Sequence, residues 1–173
     1  MADIEIRALT EDDWGVFREV RLMALRDSPE AFVATAAEEE SFPESEWRDR
    51  MTRSSRFVAE DGQDVIGVVS LRTSQITTQD TELDDLNAAE VFGLWVEPGH
   101  RGAGTPAQLI DAAANRARAY GISHLVYWVG VDNARAVAFA SGYGFRPTDS
   151  RREARTAGVE GGTEAAMVFP LAR

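Results

Sequence analysis

Polar and apolar residues alternate over Ile4-Glu5-Ile6-Arg7-Ala8-Leu9, the pattern of a half-buried strand. The period then changes. Trp14, Phe17, Val20, Ala24 and Leu25 fall at helical spacing, Thr10 and Asp13 offer an N-terminal capping pair, and Pro29 stops the helix. Ser41-Phe42-Pro43-Glu44 marks a second helix start, with Trp47 and Met51 on one side. Arg56 to Ala59 and Val65 to Leu71 predict two strands joined by a tight turn at Asp61-Gly62. Thr73 to Asn87 is polar, acidic and aperiodic, and is expected to be a loop.

The second half opens on the apolar run Val91-Phe92-Gly93-Leu94-Trp95-Val96, which predicts a buried strand. Glu97-Pro98 ends it, and a glycine-rich turn, Gly99 to Pro106, follows with Arg101 inside it. Thr105-Pro106-Ala107-Gln108 predicts a capping box with proline at the first helical position. Leu109, Ile110, Ala113 and Ala117 give that helix an apolar face, ending near Gly121. Ile122 to Val129 predicts a strand. Asp132 is expected to cap a short helix through Ala136, Val137, Phe139 and Ala140, closed by Gly142. Tyr143 to Arg146 leads into a strand, a polar arginine-rich loop covers Thr148 to Thr163, and Ala165 to Leu171 is the last strand. The order β-α-α-β-β-β-α-β-α-β-β predicts an α/β (α+β) chain: a mixed sheet with about four flanking helices, not a doubly wound parallel one.

Composition narrows the function classes. A chain of 173 residues with 44% hydrophobic and 27% charged residues is expected to be one globular domain, residues 1–173. A net charge of −11 argues against nucleic acid and anionic membrane surfaces as partners, and suits a cationic substrate such as an amine. All 18 basic residues are arginine, for which codon bias is explanation enough. With no cysteine there is no disulfide, thiolate metal site or cysteine nucleophile. His100 and His124 stand alone, with no carboxylate at ligand spacing, so no metal is expected. The N-terminus begins at once with patterned, charged sequence, and a cytoplasmic location is expected.

Candidate chemistry centres on the strand, turn and helix of Val91 to Ala107. A helix start behind small residues offers free backbone N–H groups and a partial positive charge, which suits a phosphorylated cofactor. The turn lacks the Gly-Lys-Ser/Thr of a Walker loop and the spacing of a dinucleotide fingerprint. About 30 residues downstream lies Asp132-Asn133-Ala134-Arg135-Ala136-Val137-Ala138-Phe139-Ala140-Ser141-Gly142-Tyr143-Gly144-Phe145.

Together these segments resemble the GNAT superfamily of acyl-CoA-dependent N-acetyltransferases. Arg101-x-x-Gly104-x-Pro106 stands for its Arg/Gln-x-x-Gly-x-Gly/Ala turn. Asn133, Ala136, Phe139, Ala140, Gly144 and Phe145 stand for its Asn-x-x-Ala-x-x-Phe/Leu-Tyr-x-x-x-Gly-Phe segment. Arg21 to Phe32 looks like the first helix and loop of many such bacterial enzymes. The resemblance implies a mostly antiparallel seven-stranded sheet that splays between strands 4 and 5. Backbone groups of Leu94, Trp95 and Val96 would pair with the pantetheine arm of acetyl-CoA. Arg101, Gly102, Ala103, Gly104, Thr105 and Pro106 would hold its pyrophosphate, with Asn133 and Phe139 contacting the cofactor from the other side. An amine acceptor would attack the thioester directly. Glu90 is the candidate general base, with a solvated strand-end carboxylate as the plain alternative. Trp95 would lie where acceptor and thioester meet, and Glu38, Glu39 and Glu40 form either part of an amine pocket or a solvated face.

Three departures stand out. Pro106 removes one N–H donor from the turn. Ala140 replaces the tyrosine that often protonates the leaving thiolate. Tyr143, three residues on, is expected to pack in the core. These departures leave open an alternative reading, a degenerate acyl-CoA-binding module without efficient transfer. A homodimer is common among the relatives this chain resembles.

Overall fold

The computed structural model describes residues 3–32, 34–73, 87–153 and 162–171. Its strands are β1 (Ile4–Ala8), β2 (Ser55–Asp61), β3 (Asp64–Arg72), β4 (Ala88–Val96), β5 (His124–Gly130), β6 (Arg146–Glu153) and β7 (Thr163–Pro170). Its helices are α1 (Trp14–Asp27), α2 (Ala36–Glu40), α3 (Glu44–Arg53), α4 (Thr105–Ala119) and α5 (Ala134–Tyr143). All seven strands form one sheet in the order β1-β2-β3-β4-β5-β7-β6. Among the described residues only β4 and β5 pair in parallel, over Ala88–Val91 against His124–Tyr127. The fold is the mixed seven-stranded one expected, with one more helix.

Helices cover both faces, and the sheet residues divide accordingly. Leu109, Ile110, Ala113 and Ala117 of α4 pack with Ile66, Val69, Leu71, Ala89 and Val91 in the main core. On the opposite face Phe17, Val20 and Ala24 of α1 and Trp47 of α3 pack on Val58, Val68 and Trp95. The 3.6-residue spacing in the helices and the two-residue spacing in the strands meet across each interface.

Strand β4 changes parity in the middle. Trp95 opposes Val68 and Phe92 opposes Ser70, so Gly93 and Leu94 together face Val69. This is a β-bulge, and Gly93 sits in it at φ +65°, a conformation that L side chains rarely adopt. Beyond Val91 the strand has no β5 partner, while β5 runs on to Gly130 beside β7. The sheet therefore splays open between β4 and β5.

Several local expectations are corrected. Helix α2 was not legible, because Ala36–Glu40 is a five-residue run with one apolar type. Its N-cap is Thr35, whose side chain accepts from the Glu38 N–H. The N-cap of α4 is Gly104 rather than Thr105, so no capping box forms and Pro106 falls in the second helical position. The cap of α5 is Asn133 rather than Asp132, and α5 runs to Tyr143 with Gly144, not Gly142, closing it. The arginine-rich stretch from Arg146 to Glu153 is a strand, not a loop: pairing with β7 outweighs its weak apolar content. The loop expected over Thr73 to Asn87 lies almost wholly outside the described residues.

Candidate functional site

The splay creates a cavity of about 750 Å³. Glu90, Leu94, Tyr127, Asn133 and Ala136 line it, so three of the expected site residues meet around one space. Trp95, Val96, Phe139 and the turn from Arg101 to Pro106 do not line it.

The bulge decides which side chains reach the cavity. Glu90 and Phe92 precede it on the face of α1 and α3; Leu94 follows it on the face of α4. Glu90 is buried, and its carboxylate lies 3.6 Å from Nη1 of Arg72, the residue directly across the strand pair. Trp95 differs from expectation. Its ring is buried among α1 and α3, and its indole N–H donates to Asp27 at 2.9 Å. It packs and anchors, and its side chain does not face the opening.

The turn that leads into α4 carries unpaired backbone donors. Gly102 and Gly104 both adopt left-handed φ, +85° and +84°, which reverses the chain into α4. Among the described residues, the N–H groups of Gly102, Ala103, Gly104, Thr105 and Ala107 donate to no protein acceptor. These are unsatisfied donors at the positive end of a 15-residue helix. Pro106 contributes none.

Arg101 is less free than expected. Its Nε donates to the Val96 carbonyl at 2.8 Å and its Nη2 to Asp27 at 2.9 Å. One Val96 backbone group expected to face a ligand is therefore already taken. Asp27 accepts from both Trp95 and Arg101, and its carboxyl is held below the usual range by Trp95 first, then by Ser28 and Arg101. His100 stands behind the turn, its ring nitrogens 3.0 Å from Glu97 and 3.1 Å from Asp61; the Asp61 contact foremost raises its pKa.

At the start of α5, the Asn133 side chain accepts from Ala136 N–H at 3.1 Å and caps the helix, and Asn133 also lines the cavity. Phe139 packs against the main core and on Tyr143, with ring centroids 6.4 Å apart. Ala140 is fully buried, so the position has no side chain to offer at the opening. Tyr143 packs among Phe139, Phe145 and Phe169, and its hydroxyl donates to Asp111 at 2.6 Å. Burial and Asp111 both raise its pKa, so it holds its proton firmly.

Two features were missed by sequence reasoning. Tyr127, the last β5 residue paired with β4, lines the splay, and burial pushes its phenol up to about 12. The second is a neighbouring cavity of about 560 Å³ lined by Arg21, Arg50, Arg53, Arg56 and Arg72. Glu39, expected in a pocket or solvated run, is instead buried between Arg21 and Arg50, bonded at 3.0 and 2.8 Å. The overall acidity of the chain pointed to a cationic partner; this cavity is locally basic. Its only sequence signal is an arginine, Arg56, at the head of an apolar strand.

A sequence model of the acetyltransferase (GNAT) family matches residues 17–145. An uncharacterized N-acetyltransferase of Methanocaldococcus jannaschii is 26% identical over 140 residues, covering 81% of this chain and 59% of that protein. This chain thus spans less than two thirds of the length of that curated relative. Among solved structures, yncA from Salmonella typhimurium, with its cofactor acetyl-CoA, superposes with a TM-score of 0.72 at 17% identity, covering 99% of this chain and 96% of that one. A GNAT-family acetyltransferase from Streptococcus pneumoniae gives 0.72 at 16% identity, with coverage of 98% and 100%. The ribosomal-protein-S18-alanine N-acetyltransferase from Escherichia coli gives 0.67 at 16%, with coverage of 99% and 96%. At these identities the solved structures speak for the fold.

Proposed function

Because the chain belongs to the acetyltransferase (GNAT) family, we propose that it transfers an acetyl group from acetyl-CoA to a primary amine of a small molecule or protein, by direct attack within a ternary complex. The observation that carries this is the splayed β4–β5 opening above a turn whose backbone N–H groups are unsatisfied. Acetyl-CoA supplies an activated acyl carbon and a thiolate leaving group.

The remaining roles belong to the chain. Gly102, Ala103, Gly104, Thr105 and Ala107 hold the pyrophosphate through backbone N–H groups, aided by the α4 dipole. The β4 edge at Leu94 continues the sheet onto the pantetheine amides, and Asn133 donates from the facing side. Arg101 positions the turn through Val96 and Asp27 rather than through phosphate. Glu90, buried at the cavity, accepts the proton of the ammonium, directly or through one water. The thiolate takes its proton from solvent, a modest demand for a thiol of pKa about 8.5.

Calorimetric titration with acetyl-CoA, followed by thiol release over an amine panel, tests the reading. Saturable one-to-one binding with amine-dependent thiol release is expected. Binding without release over the panel favours the degenerate binding module, for which Ala140 speaks; no binding refutes both.

A further inference from the structure

The arginine-rich cavity holds a charge that the protein does not balance. Arg56 is 8% exposed, and its guanidinium lies between the rings of Phe17 and Phe92, 4.4 and 5.5 Å from their centroids. Its Nη1 donates to Ser70 Oγ at 2.7 Å and its Nη2 to the Arg50 carbonyl at 3.0 Å; its buried Nε has no partner. Both acceptors are neutral. Among the described residues Arg56 makes no ion pair, while each neighbouring arginine does: Arg21 and Arg50 with Glu39, Arg53 with Glu46, Arg72 with Glu90. Five arginines stand against three carboxylates, an excess of two positive charges in a chain of net charge −11. A buried charge without a counter-charge is costly, so such a group marks a place where a charge of opposite sign arrives.

The cavity also continues into the splay. Arg21, Arg72, Phe92 and Gly93 line both spaces. A molecule with its amine beside Glu90 and the bulge therefore reaches the arginines with its other end.

We propose that the acceptor amine carries a carboxylate, and that Arg56, with Arg72 beside it, receives that carboxylate while the amine faces the splay. The acceptor is thus a free amino acid or an amino-acid-like small molecule. Stacking of both guanidiniums on Phe92, Arg72 at 4.4 Å, holds them pre-oriented for a planar oxyanion. Burial and repulsion from Arg50, Arg21, Arg72 and Arg53 lower the Arg56 pKa to about 9, so it remains charged at neutral pH. Proton balance is that of simple acyl transfer: the N–C bond forms, the C–S bond breaks, and the ammonium proton leaves through Glu90.

This inference rests on the transferase reading, and the test separates the two. Thiol release from acetyl-CoA is measured with the common L-amino acids, with their amides, and with ethanolamine and O-phosphoethanolamine. The inference expects kcat/KM for the preferred acid to exceed that of its amide by roughly 100-fold, as for loss of one charge-assisted contact. Arg56→Met abolishes that preference, Arg56→Lys keeps part of it, and calorimetric affinity for acetyl-CoA is the same in all three proteins. Equal turnover of acids and amides overturns it, as does a preference that survives Arg56→Met. Preference for O-phosphoethanolamine over every acid overturns the carboxylate. Acceleration by succinyl-CoA over acetyl-CoA places the anion on the donor and also overturns it. Failure to bind acetyl-CoA at all is the distinct result that removes the transferase reading itself.

Discussion

Replacing Arg56 by methionine is expected to stabilise the free protein while removing a functional group. Arg56 is depressed from the ordinary arginine range to about 9, chiefly by desolvation. At about 1.4 kcal/mol per pKa unit, the charged form costs the folded protein about 5 kcal/mol at neutral pH. Methionine fills similar apolar space between Phe17 and Phe92. It leaves Ser70 Oγ and the Arg50 carbonyl without this donor, a loss of about 1–2 kcal/mol, and forfeits about 1 kcal/mol of ring stacking. The net expectation is a gain of about 2 kcal/mol, or roughly 4–8 °C in Tm for a chain of this size. The sign has its own signature in pH. From about 9 up to the ordinary arginine range the unfolded chain binds the proton that folded Arg56 has lost, so the wild type gains stability there and the variant does not. The charged groups around Arg56 are Arg21 on α1, Arg50 and Arg53 on α3, Arg72 on β3, and the carboxylates Glu39 and Glu46 that pair with Arg21, Arg50 and Arg53. The advantage of Arg56→Met should be fully present at pH 7 and smaller by about 1.4 kcal/mol at pH 10. Urea denaturation at both pH values, in buffer free of carboxylates and phosphate, measures it. A variant less stable than wild type at pH 7 would refute the claim that Arg56 is an uncompensated buried charge.

Glu90→Gln should lower kcat on the order of 100-fold while leaving the acetyl-CoA Kd within about twofold, read by thiol release and calorimetry; unchanged turnover would remove Glu90 as the base. Gly104→Ala meets no atom within 4 Å of its new Cβ, so its effect is that of the left-handed backbone alone. It should cost about 1–2 kcal/mol in thermal melts and weaken acetyl-CoA by roughly tenfold or more. Asp27→Asn should lower Tm at neutral pH. Because folding depresses the Asp27 carboxyl, its contribution is present above the ordinary carboxylate range and is lost as pH falls through its folded value. The melting curves of variant and wild type should therefore converge in acid, and a constant gap would rule out the Trp95–Arg101 tie as the source.

The elements with strong periodicity were legible. The α1 stripe from Trp14 to Leu25, the hairpin at Asp61-Gly62 and the strand–turn–helix from Val91 onward all follow from residue spacing. What failed was local competition among neighbours. Thr105 and Asp132 are good capping residues, but Gly104 and Asn133, one position away, take the caps because left-handed φ and the Ala136 N–H are available there. Arg101 read as a phosphate ligand because sequence cannot show that Asp27, far upstream, would claim it. The arginine cavity was unreadable for the same reason. Arg21, Arg50, Arg56 and Arg72 come from four separate elements, and only packing brings them together. Glu39 lay in a run of three acids, yet helix phase buried that one alone.

The extra residue at Gly93 makes β4 two half-strands of opposite phase. Upstream, even-numbered positions face α1 and α3; downstream, odd-numbered ones do. Deleting Gly93 would therefore restore plain alternation: Phe92 and Trp95 would keep the α1 face and Leu94 the α4 face, and only the bulge would be lost. The extra residue works as a leap day does in a calendar, taken up at one point so that the count on either side stays in step. A further single insertion with no bulge to take it up would instead turn Trp95 toward α4 or Glu90 away from the cavity.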